Sequence, residues 1–114
     1  MSPDRIQERR RFPRVQSALA LELRYAGGAA PVRATTSEIS LSGCYIETMF
    51  TLEVGTNLEV VLWLDGQKLA AKGVVATRYP QVGNGIDLTE MKPEDRAKLE
   101  AFLKTQEAQL AKRL

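Results

Sequence analysis

The stretch Leu19-Ala20-Leu21-Glu22-Leu23-Arg24-Tyr25 decides the architecture. Its apolar residues recur at every second position, so Leu19, Leu21, Leu23 and Tyr25 share one face while Ala20, Glu22 and Arg24 share the other. That period belongs to a half-buried β-strand, with one side on a core and the other in water. Gly27-Gly28 breaks the pattern and forms a turn. Downstream, Pro31 to Ile39 is rich in Val and Thr and predicts a second strand. Ser40-Leu41-Ser42-Gly43 reads as a turn, and Cys44 to Met49 as a third strand carrying Tyr45 and Ile46. Gly55-Thr56-Asn57 opens a fourth, Leu58 to Leu64, and Asp65-Gly66 is a strong hairpin signal because that pair tolerates the positive φ of a tight turn. Leu69 to Tyr79 follows as a fifth strand, and a turn around Pro80 leads to a short sixth, Gly85 to Leu88.

A helix is predicted next. Pro93 suits the first helical position, and Glu94 and Asp95 complement the positive end of the helix dipole. Leu99, Phe102, Leu103 and Leu110 fall on one face at helical spacing, which is most simply a packing face. Lys112 and Arg113 suit the negative end. The fold class is therefore mainly β: a small six-stranded antiparallel β-barrel with a C-terminal α-helix and a flexible N-terminal arm. The expected divisions are an Arg-rich arm over residues 1–14, a barrel over 15–90 and a packing helix over 91–114.

The totals narrow the function. At 114 residues with 44% hydrophobic residues, the chain can bury one core without staples. One cysteine precludes an internal disulfide, and no run approaches the roughly 20 apolar residues that a membrane helix needs. The N-terminus lacks a secretory apolar core, so a cytoplasmic protein with no membrane span is expected. There is no histidine, which removes the commonest general base and metal ligand and makes a Ser-His-Asp arrangement impossible within this chain. Neither an enzyme nor a metal site is expected. Cys44, among apolar neighbours, reads as a small core residue. Trp63 is read first as core and second as part of a partner surface.

The charge is uneven. Residues 1–14 carry five arginines against Asp4 and Glu8, a net +3, and the remaining 100 residues are net −1. Nucleic-acid binders spread basic charge over a folded face and supply aromatic platforms, whereas aromatics are 6% here, so nucleic acid is an unlikely partner. A basic arm on a slightly acidic domain fits a compact anion better.

Two motifs point to that anion. Arg10 and Arg14 lie in Glu8-Arg9-Arg10-Arg11-Phe12-Pro13-Arg14, where Pro13 biases Phe12 towards an extended conformation and sets the arginines on either side of a bend. Guanidinium groups pair with phosphate oxygens, match the O6 and N7 acceptors of guanine and stack on bases. The second motif is Glu38-x-Ser40-x-x-Gly43. A carboxylate at Glu38 suits the adjacent N–H donors of guanine's Watson–Crick edge, the Ser40 hydroxyl suits a base or phosphate, and Gly43 allows positive φ or close approach of a ligand. Taken alone, the arginines read more simply as a solvated basic tail, and Ser40 to Gly43 as ordinary turn chemistry. Together and in this order, they point to a guanine nucleotide.

With these residues in place, the chain resembles the PilZ domain, a bacterial receptor module for cyclic di-GMP. The family pattern is Arg-x-x-x-Arg on an N-terminal arm, then Asp or Asn-x-Ser-x-x-Gly after the second strand. Arg10-Arg11-Phe12-Pro13-Arg14 fits the first part, and Glu38-Ile39-Ser40-Leu41-Ser42-Gly43, running into Cys44-Tyr45-Ile46-Glu47, fits the second except at Glu38. Gly83-Asn84-Gly85-Ile86-Asp87-Leu88 and Pro93-Glu94-Asp95-Arg96 look like the family's closing segment. The resemblance implies a stand-alone receptor and adaptor without catalytic activity, with cyclic di-GMP as ligand and no other cofactor. Arg10 and Arg14 would clamp phosphates and guanines, Ser40 and Gly43 would line the opposite wall, and Arg9 resembles members that hold two intercalated ligand molecules. It also implies a change of arm conformation on binding and an unidentified protein effector of motility, secretion or exopolysaccharide machinery. Glu38 adds one methylene to the family's Asp, which moves the carboxylate by about 1.5 Å. That departure motivates an alternative, a PilZ-like protein-interaction module that binds no nucleotide.

Overall fold

A computed structural model describes residues 13–113, with side chains as far as residue 109. Seven strands and one helix follow in order: β1 (Val15–Gln16), β2 (Ala20–Arg24), β3 (Val32–Ile39), β4 (Gly43–Glu47), β5 (Asn57–Leu64), β6 (Gln67–Tyr79), β7 (Gly83–Met91) and α1 (Pro93–Arg113). All pairings are antiparallel. The sheet runs β3-β2-β5-β6-β7-β4, and β3 also pairs with β4, so six strands close into a barrel. That is the expected architecture. The hairpin predicted at Asp65-Gly66 carries φ of 49° and 81°, the double positive turn such a pair favours.

The alternation in β2 puts Leu21 and Leu23 in the core, and the same period in β5 buries Leu58, Val60, Leu62 and Leu64. Ile39, Ile46, Leu69, Val75 and Ile86 complete the interior. Leu99 and Leu103 of α1 join this cluster together with Val15, so the helix stripe packs as its spacing predicted, with Phe102 half-buried beside it. Asp95 in the first turn of α1 accepts a hydrogen bond from the Ala70 amide at 3.3 Å, which ties the start of the helix to β6. The Leu110 side chain lies outside the described residues.

Two side chains differ from expectation or deserve placement. Trp63 is not core: it lies half-buried on the outer face of β5, with Lys68 Nζ 5.8 Å from its ring centroid. The reason is parity, since Leu62 and Leu64 on either side take the inward positions. Cys44 is buried, and burial pushes its thiol up to about 12, outweighing the opposing effect of Arg14. It is an inert core residue at neutral pH.

Strand β1 was not anticipated. It pairs with the end of β3 through Val15↔Ile39 and Gln16↔Glu38, on the same edge that β2 occupies further along. Thr36 bridges the gap between β1 and β2. Its buried hydroxyl accepts from the Leu19 amide at 2.9 Å and donates to the Ser17 carbonyl at 2.6 Å, while its own amide donates to the Leu19 carbonyl at 2.9 Å. This stitch fixes where the N-terminal segment leaves the barrel.

Candidate functional site

The site forms where β1 meets the β3–β4 turn. Because Val15 faces Ile39 and the strands run antiparallel, continuing the register sets Arg14 across from Ser40. The chain therefore departs over the bend whose motif residues the sequence singles out. Arg14 Nη1 donates to Glu38 Oε1 at 2.7 Å, a charge-assisted bond between exposed side chains. Two members of the two sequence motifs, 24 residues apart in the chain, are thus in direct contact. Arg9 and Arg10 lie outside the described residues.

The bend itself is held by serine chemistry. The Ser40 amide donates to the Gly43 carbonyl at 2.8 Å, the Ser42 amide donates to Ser40 Oγ at 3.1 Å, and the Ser40 and Ser42 hydroxyls are 3.0 Å apart. Ser40 is buried, so in this state its hydroxyl is taken up inside the turn. Gly43 does not have positive φ. It is required for another reason: a Cβ there would run into the backbone carbonyl oxygen of Ile86 on β7, with which β4 pairs. The close approach at Gly43 is thus to a strand of the same chain.

Tyr45 was read only as a strand residue, yet it belongs to this surface. Cys44 and Ile46 point inward, so Tyr45 points out, beside Glu38 in the β3–β4 register. Its ring lies over Gly83, where a Cβ would come within 2.6 Å of Tyr45 Oη, and it is tilted against Tyr79 with centroids 6.2 Å apart. Burial first, then the neighbouring Tyr79, Glu47 and Glu38, hold its phenol above the usual tyrosine range. The signal in the sequence was parity alone, which required knowing which face of β4 is the outside. The surface therefore offers a guanidinium, a carboxylate and a flat aromatic side chain in succession, the three kinds of group that recognise a purine and its phosphates. Among the described residues no cluster of His, Cys, Asp and Glu could hold a metal ion, and no described helix is long and apolar enough to cross a membrane.

The model of the PilZ domain family matches residues 8–105. The chain belongs to the PilZ family. The match spans both motifs and the barrel. Similar solved structures share the fold. The inhibitor of motility MotI/DgrA from Bacillus subtilis superposes with a TM-score of 0.77 at 16% identity over 92% of this chain. This chain spans only 53% of that protein's length. The PilZ domain with c-di-GMP of YcgR from Escherichia coli gives a TM-score of 0.73 at 13% identity, covering 92% of this chain and 96% of that one. The PilZ domain of CeSA from a cellulose-synthesising bacterium gives 0.65 at 17% identity, covering 82% and 97%. No curated protein sequence matches significantly.

Proposed function

We propose that this PilZ domain is a receptor for cyclic di-GMP that passes the signal to a protein partner and catalyses no reaction. The observation that carries the proposal is the contact of Arg14 with Glu38 at the root of the arm, beside the Ser40–Gly43 bend. Family membership and the fold shared with a domain whose structure contains c-di-GMP support the choice of ligand. In this reading the ion pair is the resting state. A ligand phosphate takes Arg14 from Glu38, and the released carboxylate accepts from the N–H donors of a guanine. Arg10, and Arg9 for a second nucleotide, complete the grip from the arm. Ser40 and Gly43 set the shape of the bend on which the base rests, and Tyr45 offers its ring for stacking. Closure of the arm then builds a surface for an effector in motility, secretion or exopolysaccharide production, in the cytoplasm.

Calorimetry with cyclic di-GMP tests this. Heat with the wild type, lost in Arg10→Ala and in Arg14→Ala while the fold is retained, is the expected result; absence of heat from the wild type would overturn it. A second reading follows from the same ion pair. If Glu38 holds Arg14 permanently, the domain is a ligand-independent interaction module. A pull-down with and without nucleotide then gives equal capture, and Arg10→Ala leaves capture unchanged.

A further inference from the structure

We propose that Glu47, beside the Tyr45–Tyr79 pair, reads the Watson–Crick edge of one guanine of the bound dinucleotide while Glu38 reads the other. The inference rests on the receptor reading above and adds to it a second carboxylate, one that lies outside both arginine and serine motifs.

Backbone pairing sets these residues side by side. Glu47 of β4 lies across from Gly83 of β7, and Gly83 lies across from Tyr79 of β6. The phenol end of Tyr45 covers the glycine between them: a Cβ on Gly83 would come within 2.6 Å of Tyr45 Oη and 2.8 Å of its Cζ. The two tyrosine rings meet with centroids 6.2 Å apart and planes inclined by 54°. Tyr45 and Glu47 share the outer face of β4, and Glu38 lies across from Tyr45 on β3. The ring is therefore bracketed by carboxylates, and after burial and Tyr79 it is Glu47 and then Glu38 that raise its phenol.

Main-chain bonds fix the arrangement. The Thr48 amide donates to the Val82 carbonyl at 3.0 Å, and the Val82 amide to the Tyr79 carbonyl at 2.9 Å, so the end of β4 and Tyr79 are tied through one turn. Little ordering is then needed when a ligand arrives. The carboxylates differ in their engagement. Glu38 is held by Arg14 at 2.7 Å, whereas Glu47 is exposed and has no ion-pair partner among the described residues. With Tyr79 54% exposed, an aromatic surface and an unengaged acceptor lie together beside the Arg14–Glu38 contact.

Guanine matches that combination. Its N1–H and 2-amino group are adjacent donors that one carboxylate accepts together, and its ring system stacks on an aromatic side chain. Adenine presents a bare ring nitrogen at the same edge, an acceptor facing an acceptor. A cyclic dinucleotide carries two bases, and one carboxylate satisfies only one such edge. Residues placed diagonally across an antiparallel pair, as Glu38 and Glu47 are, stand roughly 7–8 Å apart, a span that a single dinucleotide covers.

Calorimetry on the full chain with cyclic di-GMP and with the mixed cyclic guanosine–adenosine dinucleotide tests this. The wild type is expected to favour cyclic di-GMP by at least about tenfold. Glu47→Gln should lower that affinity by about tenfold and bring the two ligands to within about threefold of each other, at an unchanged melting temperature. Glu47→Asp should keep the preference. If Glu47→Gln binds cyclic di-GMP as tightly and as selectively as the wild type, the proposal is overturned and the receptor reading stands. A wild type that binds neither dinucleotide would overturn both. N-acetylarginine amide is the control for a cation site between the carboxylate and the rings: Glu47-dependent binding of it, with dinucleotide preference unaltered in Glu47→Gln, would assign Glu47 to a guanidinium instead.

Discussion

Arg14 and Glu38 meet at 2.7 Å across the junction of β1 and β3, so the residue proposed to meet a phosphate is already engaged by a carboxylate. Any incoming phosphate competes with a tethered carboxylate. The cost of that competition is small, because exposed ion pairs contribute about 0–1 kcal/mol.

Glu38→Asp is predicted to tighten cyclic di-GMP binding by about three- to tenfold, or ~0.7–1.4 kcal/mol. The shorter side chain reaches Arg14 less well and takes the position the family pattern prefers. Calorimetry at fixed ionic strength measures this, and equal or weaker affinity would mean that Glu38 does not restrain Arg14.

Arg14→Ala should reduce cyclic di-GMP affinity by about a hundredfold, the value of one or two charge-assisted hydrogen bonds. Its effect on unfolding should stay within about 1 kcal/mol, since the pair is solvent-exposed. Parallel calorimetry and thermal melts separate the two outcomes. A large loss of stability would make Arg14 a structural residue.

Gly43→Ala should destabilise the fold by about 1–3 kcal/mol, because its Cβ would be driven into the Ile86 carbonyl and β4 would have to part from β7. A fall of several degrees in melting temperature without ligand is the expected readout. An unchanged melt would show that the strands can relax at that point.

Cys44 contributes a pH dependence whose sign is fixed. Its thiol is raised to about 12, above the range of an exposed thiol, so the native state keeps a proton that the unfolded chain loses first. The contribution is complete below the unfolded thiol's pKa and is lost as pH rises from there to about 12, at up to ~1.4 kcal/mol per pH unit. Denaturant titrations should show a steeper alkaline loss for the wild type than for Cys44→Ala. Parallel curves would contradict the assignment.

Much of this fold was legible because its strands obey a simple period. Leu19 to Tyr25 alternates cleanly, and Asp65-Gly66 has one favourable geometry, so β2 and the β5–β6 hairpin follow from local chemistry. Strand β1 was not legible, since two residues carry no period; it exists because Val15 finds Ile39 and the helix leucines. Asn84 sits in a Gly-rich stretch with the composition of a turn, yet its partner Leu52 is 32 residues away, which no local pattern encodes. In the site, the residue types of Arg14 and Glu38 were visible, but their contact needed the β1–β3 register. The hydroxyl of Ser40 bonds Ser42 and Gly43 within the bend, a local arrangement that the motif spacing alone does not specify. Tyr45 was overlooked because one residue's parity decides whether an aromatic side chain is core or surface.

The Thr36 stitch has a consequence for the rest of the N-terminal segment. By anchoring β1 it makes Arg14 a fixed point, and four residues of chain, the sequence separation of Arg10, span at most about 14 Å. In the proposed receptor, a second arginine within that reach of the dinucleotide would act at a local concentration in the millimolar range. Two modest contacts then act as one strong one, and cutting the stitch with Thr36→Val would loosen the grip of both without touching either.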